Sequence, residues 1–137
     1  MMMPHSPSDA RHVFVYGTLR RGGSNDIARF EPAARHVADA RIRGTLYDLG
    51  SYPGAVLGGG GLLVGEIYAI VPALEAQLDE LEEVRSDGSG EYLKREVQVQ
   101  VGEIEIACLV YEIHPSRIAG GQVIASGDWF DRARPFS

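Results

Sequence analysis

Pro72-Ala73-Leu74-Glu75-Ala76-Gln77-Leu78-Asp79-Glu80-Leu81-Glu82 is the stretch of this chain with a clear helical period. Pro72 suits a first turn, where a missing N–H costs nothing. Leu74, Leu78 and Leu81 then recur at i, i+4 and i+7, which gathers them into one sector of a wheel turning about 100° per residue. On either side the chain reads as strand. Runs rich in β-branched and aromatic residues occupy 12–16, 42–49, 62–70, 93–101 and 103–113. Several strands with one prominent helix between them predict an α+β domain rather than a doubly wound sheet. Between the second and third runs, Gly58-Gly59-Gly60-Gly61 suits a hairpin tip. Arg20-Arg21-Gly22-Gly23-Ser24-Asn25 reads as turn, with Ser24 or Asn25 available to cap a short helix through Phe30. Asp87-Gly88-Ser89-Gly90 breaks the chain before the fourth strand.

A length of 137 residues fits one domain. Residues 1–11 read as a loose tail and 12–137 as the domain, with Trp129 and Phe130 as an aromatic plug on its core. The net charge of -6 argues against nucleic acid as a partner, since phosphate binding needs a basic surface. No run approaches the roughly 18 apolar residues of a membrane span, and the start lacks a cationic end followed by an apolar run. The one cysteine, Cys108, sits in a β-rich run and reads as a buried core thiol. Having no partner for a disulfide, it fits a cytoplasmic location. His5, His12, His36 and His114 are scattered, with no metal-ligand spacing, so no metal site is expected.

Three features carry possible chemistry. Glu82 falls at the edge of the leucine face, one turn after Leu78, while Glu80 and Glu83 point well away from it. A partly desolvated carboxylate has a raised pKa and suits proton transfer near neutral pH. Glu75 is its rival, and a solvated acidic face is the bland alternative. In Val13-Phe14-Val15-Tyr16-Gly17-Thr18-Leu19-Arg20 a strand ends in glycine, which frees N–H groups to converge on a carboxylate or oxyanion. An ordinary strand-to-loop turn would read the same way. Arg20 and Arg21 would add positive charge for an acidic ligand, or serve solubility alone. Third, Arg95 shares its strand face with Val97, Val99 and Val101, so it needs a carboxylate partner. A structural salt bridge is the plainer use, and a substrate carboxylate the other. Tyr111 either lines a pocket or packs.

In order and spacing, Tyr16-Gly17-Thr18-Leu19-Arg20-Arg21-Gly22, Gly44-Thr45-Leu46-Tyr47-Asp48, Tyr52-Pro53-Gly54, Val64-Gly65-Glu66-Ile67-Tyr68, Leu78-Asp79-Glu80-Leu81-Glu82, Tyr92-Leu93-Lys94-Arg95 and Val110-Tyr111 resemble the gamma-glutamylcyclotransferase-like superfamily. The gamma-glutamylamine cyclotransferase branch, related to plant avirulence-induced-gene proteins, is the nearest in pattern. The resemblance implies a compact mixed β-barrel with flanking helices and an active site at its mouth. It places the catalytic glutamate on Glu82 and the substrate-binding loop on Tyr16, Gly17, Thr18 and Leu19. Tyr92, Arg95 and Tyr111 match positions that line or support the pocket. The implied reaction releases 5-oxoproline and a free amine from a small gamma-glutamyl substrate, by attack of its own α-amino group, without metal or organic cofactor. Glu83 stands where the family often has glycine. Two other readings keep the fold: a non-catalytic binder of a small acidic metabolite, and removal of a gamma-glutamyl group from a biosynthetic intermediate.

Overall fold

A computed structural model describes residues 11–50, 52–82 and 90–131. In chain order the elements are β1 (Arg11–Val15), β2 (Arg35–Asp48), β3 (Pro53–Ile70), α1 (Pro72–Leu81), β4 (Tyr92–Val101), β5 (Ile104–Ile113) and β6 (Gln122–Val123). Short 3-10 turns occupy Ile27–Arg29, Pro115–Arg117 and Trp129–Asp131. The strands form one mixed sheet in the order β4-β5-β1-β3-β2-β6. Every neighbouring pair runs antiparallel except β1 and β5, which are parallel and pair at Val13 and Leu109. The sheet curls until β4 comes near β2, which makes a half-barrel with the helix on its outside. This is the expected α+β, mixed-barrel class.

Alternation along β1 shows how the two faces are filled. Val13 and Val15 join Leu74 and Leu78 of α1, with Tyr68, Ile70, Leu109 and Ile113. Phe14 and Tyr16 point the other way, into the curl, with Leu46, Ile67, Val99, Cys108 and Val110. Leu74 and Leu78 are fully buried, each adding roughly 1.5–3 kcal/mol of transfer free energy. Trp129 is buried in the inner cluster beside Ile124, whereas Phe130 stays exposed, so the aromatic plug is Trp129 alone. Cys108 is a buried core thiol, its pKa pushed up to about 11 by burial.

The structure corrects several local expectations. β2 and β3 reverse between Asp48 and Pro53, which pair with each other, and the Leu49 N–H meets the Tyr52 carbonyl at 3.1 Å. Gly58-Gly59-Gly60-Gly61 is therefore no tip. The register steps from Arg43 opposite Leu62 to Gly44 opposite Leu57, so these glycines are extruded from β3 as an exposed bulge. Gly58 and Gly59 have φ of 93° and 79°, which glycine alone adopts freely. Glycine marks bulges and reversals alike, so composition could not separate them. The first 3-10 turn is capped by Asp26, not Ser24 or Asn25: Asp26 Oδ1 accepts the Ala28 N–H at 2.9 Å. Leu81 is exposed, since the helix ends there and leaves the core. β1 begins at Arg11, the last residue assigned to the tail; 1–10 lie outside the described residues, as does most of the break at 87–90.

Gly65 sets how closely β3 approaches β1. A Cβ there would lie 2.6 Å from Phe14 Cζ and press on the Val15 carbonyl. At Gly60 a Cβ would meet nothing within 4 Å. Gly65→Ala is therefore expected to cost about 1–3 kcal/mol through overpacking, and Gly60→Ala less than about 0.5 kcal/mol. Urea midpoints at unchanged slope check both; equal midpoints for the two variants would contradict the packing argument.

Candidate active site

β1 is buried between β3 and β5, and the chain leaves it through Tyr16 into a tight loop. The Tyr16 hydroxyl donates to the Tyr111 carbonyl at 2.6 Å and accepts the Ala55 N–H at 3.1 Å. Burial, with Glu82 nearby, pushes its pKa far up, so it acts as a neutral strut. Gly17 runs against the start of β3, where a Cβ would come within 2.5 Å of Pro53 Cγ. Beyond it the loop's carbonyls are spoken for. Gly17, Thr18 and Leu19 accept from the N–H groups of Arg20, Asn25 and Ile27 at 3.0, 2.9 and 2.9 Å. The N–H groups of Gly17, Thr18 and Leu19 themselves have no acceptor among the described residues. Donors left over at a strand end form an anion-binding concavity.

These three residues line a cavity of about 220 Å³ together with Tyr16, Tyr92, Tyr111 and Glu82. Asn25, Tyr52, Pro53, Leu81 and Glu91 complete much of its wall. Glu82 is the C-cap of α1, with φ -86° and ψ 1° and its N–H on the Leu78 carbonyl at 2.9 Å. Among the described residues no side chain donates to its carboxylate. Burial, and to a lesser degree the charge of Glu91, push its pKa up from 4.5 to about 7. The negative end of the helix dipole acts in the same direction. A carboxylate of this kind both takes and returns protons near neutral pH.

The surrounding tyrosines are fixed by what they donate to. Tyr92 gives its hydroxyl proton to the Pro53 carbonyl at 2.6 Å, and Tyr111 gives its own to Asp79 Oδ1 at 2.7 Å. Lys94 ties the same Asp79 and Glu75 at 2.8 and 2.5 Å, so α1 is strapped to the β4–β5 hairpin from its first turn to its last. Glu75, the rival carboxylate, is thus an ion-pair residue. Arg95 is not in the cavity wall. Its odd parity on β4 turns it away from Tyr92, and its Nε donates to Glu112 Oε1 at 2.9 Å. The other oxygen of that buried carboxylate takes the Leu57 N–H at 2.9 Å. Arg95 is therefore the structural partner that its strand face demanded.

Asp79, Glu91 and Asn25 escaped the reading of the sequence. Asp79 sits off the leucine face of the helix, and nothing in its period announces Tyr111 or Lys94. Glu91 meets Tyr52 across the mouth, accepting its hydroxyl at 2.5 Å. Asn25 enters the wall through a loop whose path depends on Thr18, to which its side chain donates at 3.2 Å. Tyr52 was legible only as part of Tyr52-Pro53-Gly54. Glu83 lies outside the described residues.

The family model for "Gamma-glutamyl cyclotransferase, AIG2-like" matches residues 13–131. The gamma-glutamylcyclotransferase family protein YtfP of Escherichia coli K12 is 38% identical over 121 residues, 88% of this chain and 96% of that protein. The gamma-L-glutamyl-butirosin B gamma-glutamyl cyclotransferase of Niallia circulans is 37% identical over 93 residues, 67% of this chain and 58% of that protein. Among solved structures, an AIG2-like protein from Mus musculus superposes with a TM-score of 0.68 at 25% identity, covering 83% of this chain and 85% of that one.

The buried carboxylate has a consequence for stability. Glu82 has a higher pKa folded, about 7, than the ordinary 4.5 of an unfolded chain. Between those values the unfolded chain releases a proton that the folded one keeps, so stability falls as pH rises through that window. The full cost above pH 7 is on the order of 3 kcal/mol. Glu82→Gln should match wild type in urea midpoint near pH 4 and exceed it near pH 8. A difference that does not change with pH would refute this account.

Proposed function

We propose that the chain, which belongs to the gamma-glutamyl cyclotransferase, AIG2-like family, converts a gamma-glutamyl amine into 5-oxoproline and the free amine. The observation that carries this reading is one cavity with Glu82 in its wall and, beside it, three N–H groups of the Gly17–Leu19 loop with no acceptor among the described residues. The loop would hold the substrate's α-carboxylate, which leaves the α-amino group near Glu82. Loop and glutamate answer two opposite needs of one amino acid: donors for its carboxylate, and a base for its ammonium.

The steps follow from that placement. Ionised Glu82 takes one proton from the substrate ammonium. The freed nitrogen lone pair attacks the γ-carbonyl carbon, a C–N bond forms, and the carbonyl electrons move onto oxygen. When they return, the bond to the leaving nitrogen breaks, and Glu82 gives its proton to that nitrogen. The ring nitrogen loses its surplus proton to the carboxylate and then to solvent. Because both reacting groups belong to one molecule, the protein's main contribution is to hold the folded conformer, which sets the reaction entropy in advance. Tyr92 and Tyr111 shape the wall and, with hydroxyls already donated, act as spacers.

A cavity of about 220 Å³ falls below the roughly 300–1,000 Å³ of sites that enclose drug-sized ligands. It suits an amino-acid-sized group with its attached amine directed out past Tyr52 and Glu91. The Niallia circulans relative is named for a gamma-glutamyl-butirosin. Removal of a gamma-glutamyl group from a biosynthetic intermediate would use the same residues here.

The test is 5-oxoproline release, followed by mass spectrometry, from gamma-glutamyl-alanine, gamma-glutamyl-ε-lysine and a gamma-glutamyl alkylamine. Wild type should turn over at least one of them, and Glu82→Gln should lose about 100-fold or more, the scale of an acid–base group. Because the base must be ionised, kcat/KM should rise with pH through about 7. Glu91→Gln removes a like charge and should move that limb to lower pH. Equal binding of a gamma-glutamyl compound by wild type and Glu82→Gln, with no turnover, would replace this function with that of a metabolite binder.

A further inference from the structure

We infer that Arg20, held between Glu66 and Asp128, is a positioning residue. It sets the aim of the Gly17–Leu19 N–H groups, so residues 126–130 govern how tightly the substrate carboxylate is held. The inference rests on the proposed role of that loop as the carboxylate site.

Arg20 immediately follows the loop, and its side chain is neither a surface cation nor part of the cavity wall. It is 11% exposed, with its Nε on Glu66 Oε2 at 3.1 Å and its Nη1 on Asp128 Oδ1 at 2.7 Å. The guanidinium lies 4.4 Å from the centroid of the Phe130 ring, a cation–π contact. Glu66 is buried on β3, opposite Val15, the last residue of β1. Its Oε1 accepts the main-chain N–H of Arg21 at 2.9 Å and the Tyr68 hydroxyl at 2.8 Å. Tyr68 has its pKa pushed up to about 12, by burial first and then by Glu66, so it remains a donor. One carboxylate therefore pins both the side chain of Arg20 and the backbone of Arg21, immediately downstream of Leu19. A carboxylate with three donors has little freedom to follow a moving loop.

Asp128 is brought there by the C-terminal segment rather than by the sheet. Gly127, at φ 71°, packs its Cα against the Leu62 carbonyl where no Cβ fits, and its own carbonyl accepts the Val64 N–H at 2.9 Å. The segment is thereby pressed onto β3. Asp128 Oδ1 also accepts the Phe130 N–H at 3.0 Å, which aims the carboxylate and the ring at one guanidinium. Two carboxylates around one buried cation leave Arg20 no equally good position elsewhere. None of these groups reaches the cavity, so the clasp acts on chemistry only through the loop.

The substrate carboxylate is unchanged through the reaction, so loosening its cradle weakens ground and transition states alike and appears mainly in KM. Asp128→Asn should raise KM about tenfold with kcat within about twofold of wild type. Arg20→Lys should do the same, because one ammonium cannot span both carboxylates as the guanidinium fork does. Asp128→Glu, which retains the charge, should recover most of the loss. The acidic limb near pH 7 should stay in place in all three. Amide 1H–15N shifts of Gly17, Thr18 and Leu19 should move in Asp128→Asn and Arg20→Lys but not in Gly60→Ala. Unchanged KM with only a lower melting temperature, or unmoved amide shifts, would overturn the inference. If wild type turns over no gamma-glutamyl compound, the proposed function fails by itself, and the amide shifts still decide whether the clasp sets the loop.

Discussion

Backbone N–H groups that leave a β-ladder in a buried place require acceptors, and the site is arranged around three, on Gly17, Thr18 and Leu19, that find none among the described residues. β1 occupies the middle of the sheet, so its end is walled by β3 and β5 and cannot fray into water. The following loop turns its carbonyls onto the N–H groups of Arg20, Asn25 and Ile27, and the same three loop residues line the cavity. Gly17 permits this, since any side chain there would strike Pro53. The tyrosine hydroxyls of the wall are fixed by donating to the Tyr111 carbonyl, the Pro53 carbonyl and Asp79, and among the described residues none of them accepts from the loop.

Carboxylates near this point divide into two kinds. Glu66 and Glu112 are buried and fully answered, the first by Arg20, Arg21 and Tyr68, the second by Arg95 and Leu57. Such groups, each holding a main-chain N–H, organise backbone. Glu82 is enclosed without a donor from the described side chains, and Glu91 adds a like charge nearby. Enclosure without compensation makes ionisation costly and proton exchange easy. The same physics separates glutamates that are held by donors from one on which the proposed chemistry rests.

Much of the arrangement was legible in the sequence. The leucine spacing of 74, 78 and 81 located the helix and brought Glu82 to its edge, and the strand ending at Gly17 announced loose donors. Arg95 was readable as an ion-pair residue because it shared parity with three valines. What could not be read is what depends on partners distant in sequence. Asp79 is intermediate on a wheel, which names no partner, and β4 and β5 bring Lys94 and Tyr111 onto it. Arg20 reads as an ordinary surface arginine until β3 and the C-terminal segment supply two carboxylates. β2 was read as starting at 42 because residues 35–41 are largely polar, the pattern of a strand edge facing water. The four-glycine run carried no information to separate a bulge from a turn.

The long-range pairing has a further consequence, for the order in which the molecule is made. β1 is synthesised early, yet its parallel neighbour is β5, and Arg20 finds Asp128 only 108 residues further along the chain. Contacts of such separation are slow to form, because loop-closure entropy is lost before they are gained. The β2–β3 hairpin can form from local sequence while β1 still lacks β5, its neighbour on the other side. A pause in translation before β5 is made therefore leaves one edge of β1 open to other chains, and Arg20 completes its ion pairs only after Asp128 has followed.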